Sequence, residues 1–156
     1  MGEIYPLGLI CMSQENRRST RVRVSMAVTL ILRDTKSERI LADPVQGNLM
    51  DLSRHGTRLS LPHIRTGNYH LFYACSDDPA KVIQLEIIDG EEEERLIIPA
   101  HPVWFDHIFS GPDKHFELGL EFLVPPEDSN LIKLHAFLAI HYPQEGGWLM
   151  RFFRLG

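Results

Sequence analysis

From Val22 onward the chain alternates. Val22, Val24, Met26, Val28, Leu30 and Leu32 are separated by Arg23, Ser25, Ala27, Thr29 and Ile31, with Arg33 following. A period of two places successive side chains on opposite faces, so the segment predicts a long strand with one buried face. A second strand is predicted over 38–52, interrupted near Pro44 and Gly47, where a bulge or an edge position would accommodate the proline. Residues 51–56 read as a polar turn and 57–61 as a short strand after it. Four more strands are predicted over 69–75, 81–88, 96–105 and 115–124, with Pro, Gly, Asp and Asn between them. Short strands at this spacing predict an antiparallel sandwich or barrel.

The pattern changes at Pro125-Pro126-Glu127-Asp128-Ser129. Leu131, Leu134, Leu138 and Tyr142 then recur at helical spacing, acidic residues lie near the positive end of the helix dipole, and Pro143 ends the run. Residues 1–20 carry no periodicity, and 13–20 are wholly polar, which predicts a flexible N-terminal arm. Residues 143–156 form an aromatic tail in which Trp148, Phe152 and Phe153 alternate with Arg151 and Arg154. Its expected place is against the barrel or a second subunit rather than a membrane surface. The expected organisation is therefore an arm (1–20), a barrel with its helix (21–142) and a tail (143–156).

Composition narrows the function. A chain of 156 residues is the size of one domain with a usable core. Its formal net charge of −5 argues against a nucleic-acid polymer as partner, because phosphate backbones require an extended positive surface. Cys11 and Cys75 form no CxxC pair and read as reduced thiols. No stretch of about 18 uninterrupted apolar residues occurs, so no membrane span is expected, and the apolar run over 5–12 is too short and lacks the basic residue of a signal peptide. The expected location is the cytoplasm. His101, His107 and His115 match no zinc-binding spacing, and no metal or cofactor is expected.

Against the acidic background stand four arginines in seven residues, Arg17, Arg18, Arg21 and Arg23. Some 30 residues later comes Asp51-Leu52-Ser53-Arg54-His55-Gly56. A guanidinium fork can donate to the adjacent O6 and N7 acceptors of guanine in one plane, or chelate two phosphate oxygens. A carboxylate at Asp51 can accept from the N1 and N2 donors of the same base. Ser53 can bond a phosphate or its own backbone, and Gly56 allows a positive φ or a close backbone approach. Ser53, Asp51 and His55 contain the letters of a catalytic triad, but residues so close in a tight turn do not adopt triad geometry, and no G-x-S-x-G elbow is present. The chain is not expected to be an enzyme.

R-x-x-x-R over Arg17 to Arg21, followed by D-x-S-x-x-G over Asp51 to Gly56, resembles the PilZ domain, a bacterial receptor for cyclic di-GMP. Ala100-His101-Pro102-Val103-Trp104 and Glu117-Leu118-Gly119-Leu120-Glu121-Phe122 look like the later strands of that family, and Trp104 reads as a core residue rather than a cofactor contact. The resemblance implies a six-stranded antiparallel, Greek-key-like β-barrel with a C-terminal α-helix. It implies ligand contacts from Arg17, Arg21, Asp51, Ser53 and Gly56, with Arg18 adding to phosphate binding. It also implies a switch, in which the arm closes over the nucleotide and signals to an effector in motility, polysaccharide, adhesion or virulence machinery. The chain would act as a monomer or homodimer. The alternative reading is a domain of this fold that serves protein interaction and binds no nucleotide.

Overall fold

The computed structural model describes residues 21–89, 94–109 and 114–141. Arg17, Arg18, the expected arm and the expected tail lie outside the described residues. The alternation from Val22 is realised as β1 (Val22–Asp34), and the 38–52 segment divides into β2 (Arg39–Ile40) and β3 (Val45–Leu52). Then come β4 (Gly56–Leu61), β5 (Arg65–Thr66), β6 (Tyr69–His70) and α1 (Leu71–Asp77). β7 (Lys81–Asp89), β8 (Glu94–Ile108), β9 (His115–Phe122) and α2 (Ser129–His141) complete the order.

Six strands close into a ring in the order β1-β3-β4-β9-β8-β7 and back to β1, with every pairing antiparallel. β1 closes it because it is long enough to serve two partners. Residues 22–30 pair with β3 across one register shift, and residues 29–34 pair with β7. The expected mainly-β architecture with a C-terminal helix is the one observed. Inside the ring, Leu30, Leu49, Leu59, Ile83, Leu85, Ile98 and Leu118 are almost wholly removed from solvent. Burying a side chain of this size stabilises the fold by roughly 1.5–3 kcal/mol before chain entropy is counted.

Three local expectations are corrected. Residues 69–75 do not form a strand; β6 stops at His70 and α1 begins. The His70 imidazole Nδ1 accepts from the Phe72 and Tyr73 amides at 3.2 and 3.3 Å, satisfying two of the donors that a helix start leaves open. Leu71 and Cys75, four apart on one helical face, then reach the core. Gly47 is not an interruption, since it pairs in register opposite Val28. A Cβ there would lie 2.6 Å from Leu61 Cδ2 and 2.9 Å from the Ser60 carbonyl oxygen, so crowding inside the ring is what requires glycine. The bulges fall between Arg23 and Met26 and between Leu49 and Asp51, while Pro44 sits between β2 and β3.

The third concerns Trp104, expected in the core. It is 40% exposed on the outer wall. A register shift between Pro102 and Trp104 inserts one residue into β8, and with a side-chain period of two that insertion moves Trp104 to the other face.

Helix α2 starts where Asp128 accepts from the Asn130 and Leu131 amides, both at 3.1 Å. Its Leu131, Leu134 and Leu138 join the same core cluster as the strands. Asn130 Nδ2 donates to the Ile97 carbonyl at 3.0 Å, and Lys133 pairs with Glu94 at 2.6 Å, which fastens the helix to the start of β8. Among the described residues no helix is long and apolar enough to cross a membrane.

Candidate functional site

The turn between β3 and β4 is built by a serine. Ser53 Oγ donates to the Gly56 carbonyl at 3.2 Å and accepts from the His55 and Gly56 amides at 3.3 and 3.1 Å. The Ser53 amide closes the same loop on the Gly56 carbonyl at 2.9 Å. Thr57 Oγ1 donates to the Asp51 carbonyl at 2.6 Å and ties the two strands together just beyond it. The hydroxyl thus donates to a carbonyl rather than to an imidazole, which is the chemistry of a turn and not of an activated nucleophile.

Gly56 is required for a different reason from a positive φ, which in the described residues is adopted by Gly67 and by Glu38 instead. A Cβ on Gly56 would lie 2.3 Å from the Leu120 carbonyl oxygen. That oxygen is backbone and cannot swing away. Glycine here lets β4 approach β9.

The hairpin geometry sets the chemistry of the outer wall. With the turn at 53–55, Leu52 pairs Thr57 and Asp51 pairs Arg58. Register carries the same row sideways, from Arg23 opposite Asp51, through Arg58 opposite Gly119, to Trp104 on β8. Five strands therefore place Arg23, Asp51, Arg58, Gly119 and Trp104 in one line. Gly119 leaves room for the Trp104 indole, whose Nε1 would be 2.1 Å from any Cβ there. The indole therefore covers Gly119, the register partner of Arg58.

Asp51 is the hub of this row. Its Oδ1 accepts from Arg21 Nη1 at 2.8 Å and from the Arg58 amide at 3.2 Å, and its Oδ2 accepts from Arg58 Nε at 3.1 Å. Three of the roughly four acceptor positions of a carboxylate are thereby filled. The Asp51 side chain is 10% exposed, against 29% for Arg21 and 31% for Arg58. Arg58 Nη1 also reaches Glu117 Oε1 at 3.2 Å. Burial works against the charge of Arg58, but Asp51 and then Glu117 outweigh it, and its pKa is raised.

Beneath the turn lies His135 of α2, 1% exposed. Burial pushes its pKa down to about 3, with nearby Arg54 adding to the fall, against a hydrogen bond with the Ser53 backbone that favours the charged ring. The imidazole is therefore neutral at pH 7.

Of the sequence-derived residues, Arg21, Asp51, Ser53 and Gly56 come together at one end of the ring wall. Arg17 and Arg18 lie outside the described residues. Sequence reasoning missed Arg58 and Glu117. Arg58 was legible in principle, because a turn over 53–56 makes residue 58 the antiparallel partner of residue 51. Glu117 was not, since its neighbour Arg58 is 59 residues away.

The fold and the wall together define a closed ring of β-strands that presents paired guanidinium groups, anchored by a buried carboxylate, on its outer surface. No protein-family model matches the chain, and no curated protein matches it in sequence. Among solved structures it is similar to the PilZ domain of YcgR from Escherichia coli with c-di-GMP, at 12% identity and a TM-score of 0.48, covering 80% of this chain and 89% of that one. It is also similar to the PlzA protein of Borreliella burgdorferi in complex with c-di-GMP, at 16% identity and a TM-score of 0.48. That match covers 84% of this chain and 55% of PlzA.

Proposed function

We propose that the chain is a cyclic di-GMP receptor whose ligand lies on the outer wall at Arg21, Asp51, Ser53, Gly56 and Arg58, under Arg17 and Arg18 of the arm. One observation carries the reading: the two sequence motifs meet, with Arg21 bonded to Asp51 at 2.8 Å across 30 residues of sequence. Arg21 and Arg58 supply planar forks to phosphate or to guanine O6 and N7, and Asp51 fixes both forks while retaining about one acceptor position for a base donor. The Trp104 indole offers an apolar face at the far end of the row, suited to stacking of a purine. The arm, free without nucleotide, closes on it and signals to an effector protein.

Calorimetric titration with cyclic di-GMP, cyclic di-AMP and GTP tests this. Adenine places an amino donor where guanine has O6, so a guanidinium fork loses a bond and binding weakens by about 1–3 kcal/mol. Arg21→Ala weakens cyclic di-GMP binding by roughly 2–5 kcal/mol. Equal affinity for the two cyclic dinucleotides, or an Arg21→Ala variant that binds like the parent, refutes the model. Absence of any nucleotide binding leaves the chain as an interaction module of the same fold.

A further inference from the structure

We infer that Glu117 is a built-in competitor for the nucleotide, holding Arg58 until an anion displaces it; this rests on the proposed ligand site. Two carboxylates share the Arg58 guanidinium, and they are not equivalent. Asp51 binds the Arg58 side chain through Nε and its main chain through the amide, and also holds Arg21. Its side chain is the more buried of the two, at 10% against 19% exposed. Losing the Arg58 side chain would take from Asp51 Oδ2 the Nε bond in a poorly hydrated position, which is costly even with Arg21 still on Oδ1.

Glu117 has less to lose. It meets Arg58 through a single bond at 3.2 Å, and His115 Nε2 stands 3.8 Å from its other oxygen, Oε2. Released from Arg58, it keeps both a neighbour and access to water. An arriving phosphate therefore takes the Nη edge of Arg58 from Glu117, while Asp51 keeps Nε and the orientation of the fork. The ion pair must be given up before the ligand gains its bond, so Glu117 sets the affinity downward. It also favours ligands charged enough to outbid a carboxylate, which selects against neutral purines.

The experiment compares cyclic di-GMP affinity in the full chain for the parent, Glu117→Gln, Glu117→Ala and Asp106→Asn. Asp106 pairs Glu117 in register across β8 and β9, and its side chain bonds the His107 amide, so it controls for loss of one nearby negative charge. Both Glu117 variants should bind about three- to fivefold tighter, the upper scale of a part-exposed ion pair. Asp106→Asn should stay within about twofold of the parent. Unchanged or weaker binding by the Glu117 variants, with thermal melting showing them folded, overturns the inference and makes Glu117 a positioning residue for Arg58. An equal gain in Asp106→Asn overturns it as well, by showing a general field effect. A parent that binds no cyclic di-GMP refutes the ligand assignment itself, which is a separate failure.

Discussion

Replacing Asp51 by Asn tests the hub of the site with almost no change in shape. The amide keeps one acceptor oxygen and turns an NH2 donor toward a guanidinium. Both ion pairs are lost, to Arg21 at 2.8 Å and to Arg58 at 3.1 Å. Each arginine is about 30% exposed, so water recovers part of the loss and each pair contributes about 1 kcal/mol rather than the several of a fully buried one. A donor facing a donor adds roughly 1 kcal/mol more. The expected destabilisation is about 2–3 kcal/mol, or a fall in Tm of about 4–12 °C for a chain of this length. Urea unfolding followed by fluorescence and far-UV dichroism reads it directly, and coincident transitions license a two-state treatment. Adding Arg21→Ala to Asp51→Asn should cost less than the sum of the single changes by about 1 kcal/mol, because the two residues share one bond. An Asp51→Asn variant with the parent's urea midpoint and the parent's nucleotide affinity would show that the carboxylate holds neither arginine in solution, and the site as described would be wrong.

Other outcomes follow from single contacts. Gly56→Ala forces a Cβ to 2.3 Å from the Leu120 carbonyl oxygen, so β4 and β9 must part; a loss of about 3 kcal/mol is expected, and an unaltered urea midpoint would contradict the crowding. Gly119→Ala displaces the Trp104 indole from the sheet, and in a Trp148→Phe background the single remaining tryptophan should shift its emission to the red with little loss of stability. His135 has its folded pKa lowered to about 3, so the unfolded state binds the extra proton between there and about 6.5. Its contribution is fully present above pH 6.5 and is lost as pH falls through that window, by up to about 1.4 kcal/mol per unit. His135→Gln should flatten the slope of stability against pH between 6 and 4; an unchanged slope would place the acid sensitivity elsewhere.

The strands of the ring were legible because their signal is local. A strand with one wet face must alternate, and β1, β4, β7, β8 and β9 each show that alternation or an apolar run bounded by turn residues. The serine turn was legible for the same reason, since Ser53 bonds the main chain only two and three residues away. So was α2, whose Leu131, Leu134 and Leu138 mark one helical stripe. The pairing of Asp51 with Arg58 follows from counting back from that turn.

What tertiary structure decided lies where local patterns are degenerate. Leu71-Phe72-Tyr73-Ala74-Cys75 suits a strand or a helix, and the choice fell to the His70 cap and to a core that accepts Leu71 and Cys75 from one side. Trp104 was placed outside by one inserted residue, which no period of two can announce. Ring closure depends on β1 reaching both β3 and β7, and the register that sets Arg23, Asp51, Arg58, Gly119 and Trp104 in line passes through strands far apart in sequence. Sequence determines which residues can form such a wall, because hydrogen-bonding and burial preferences are carried by each side chain. Only packing determines which of them meet, because contact across strands is fixed by the lowest free energy of the whole sheet.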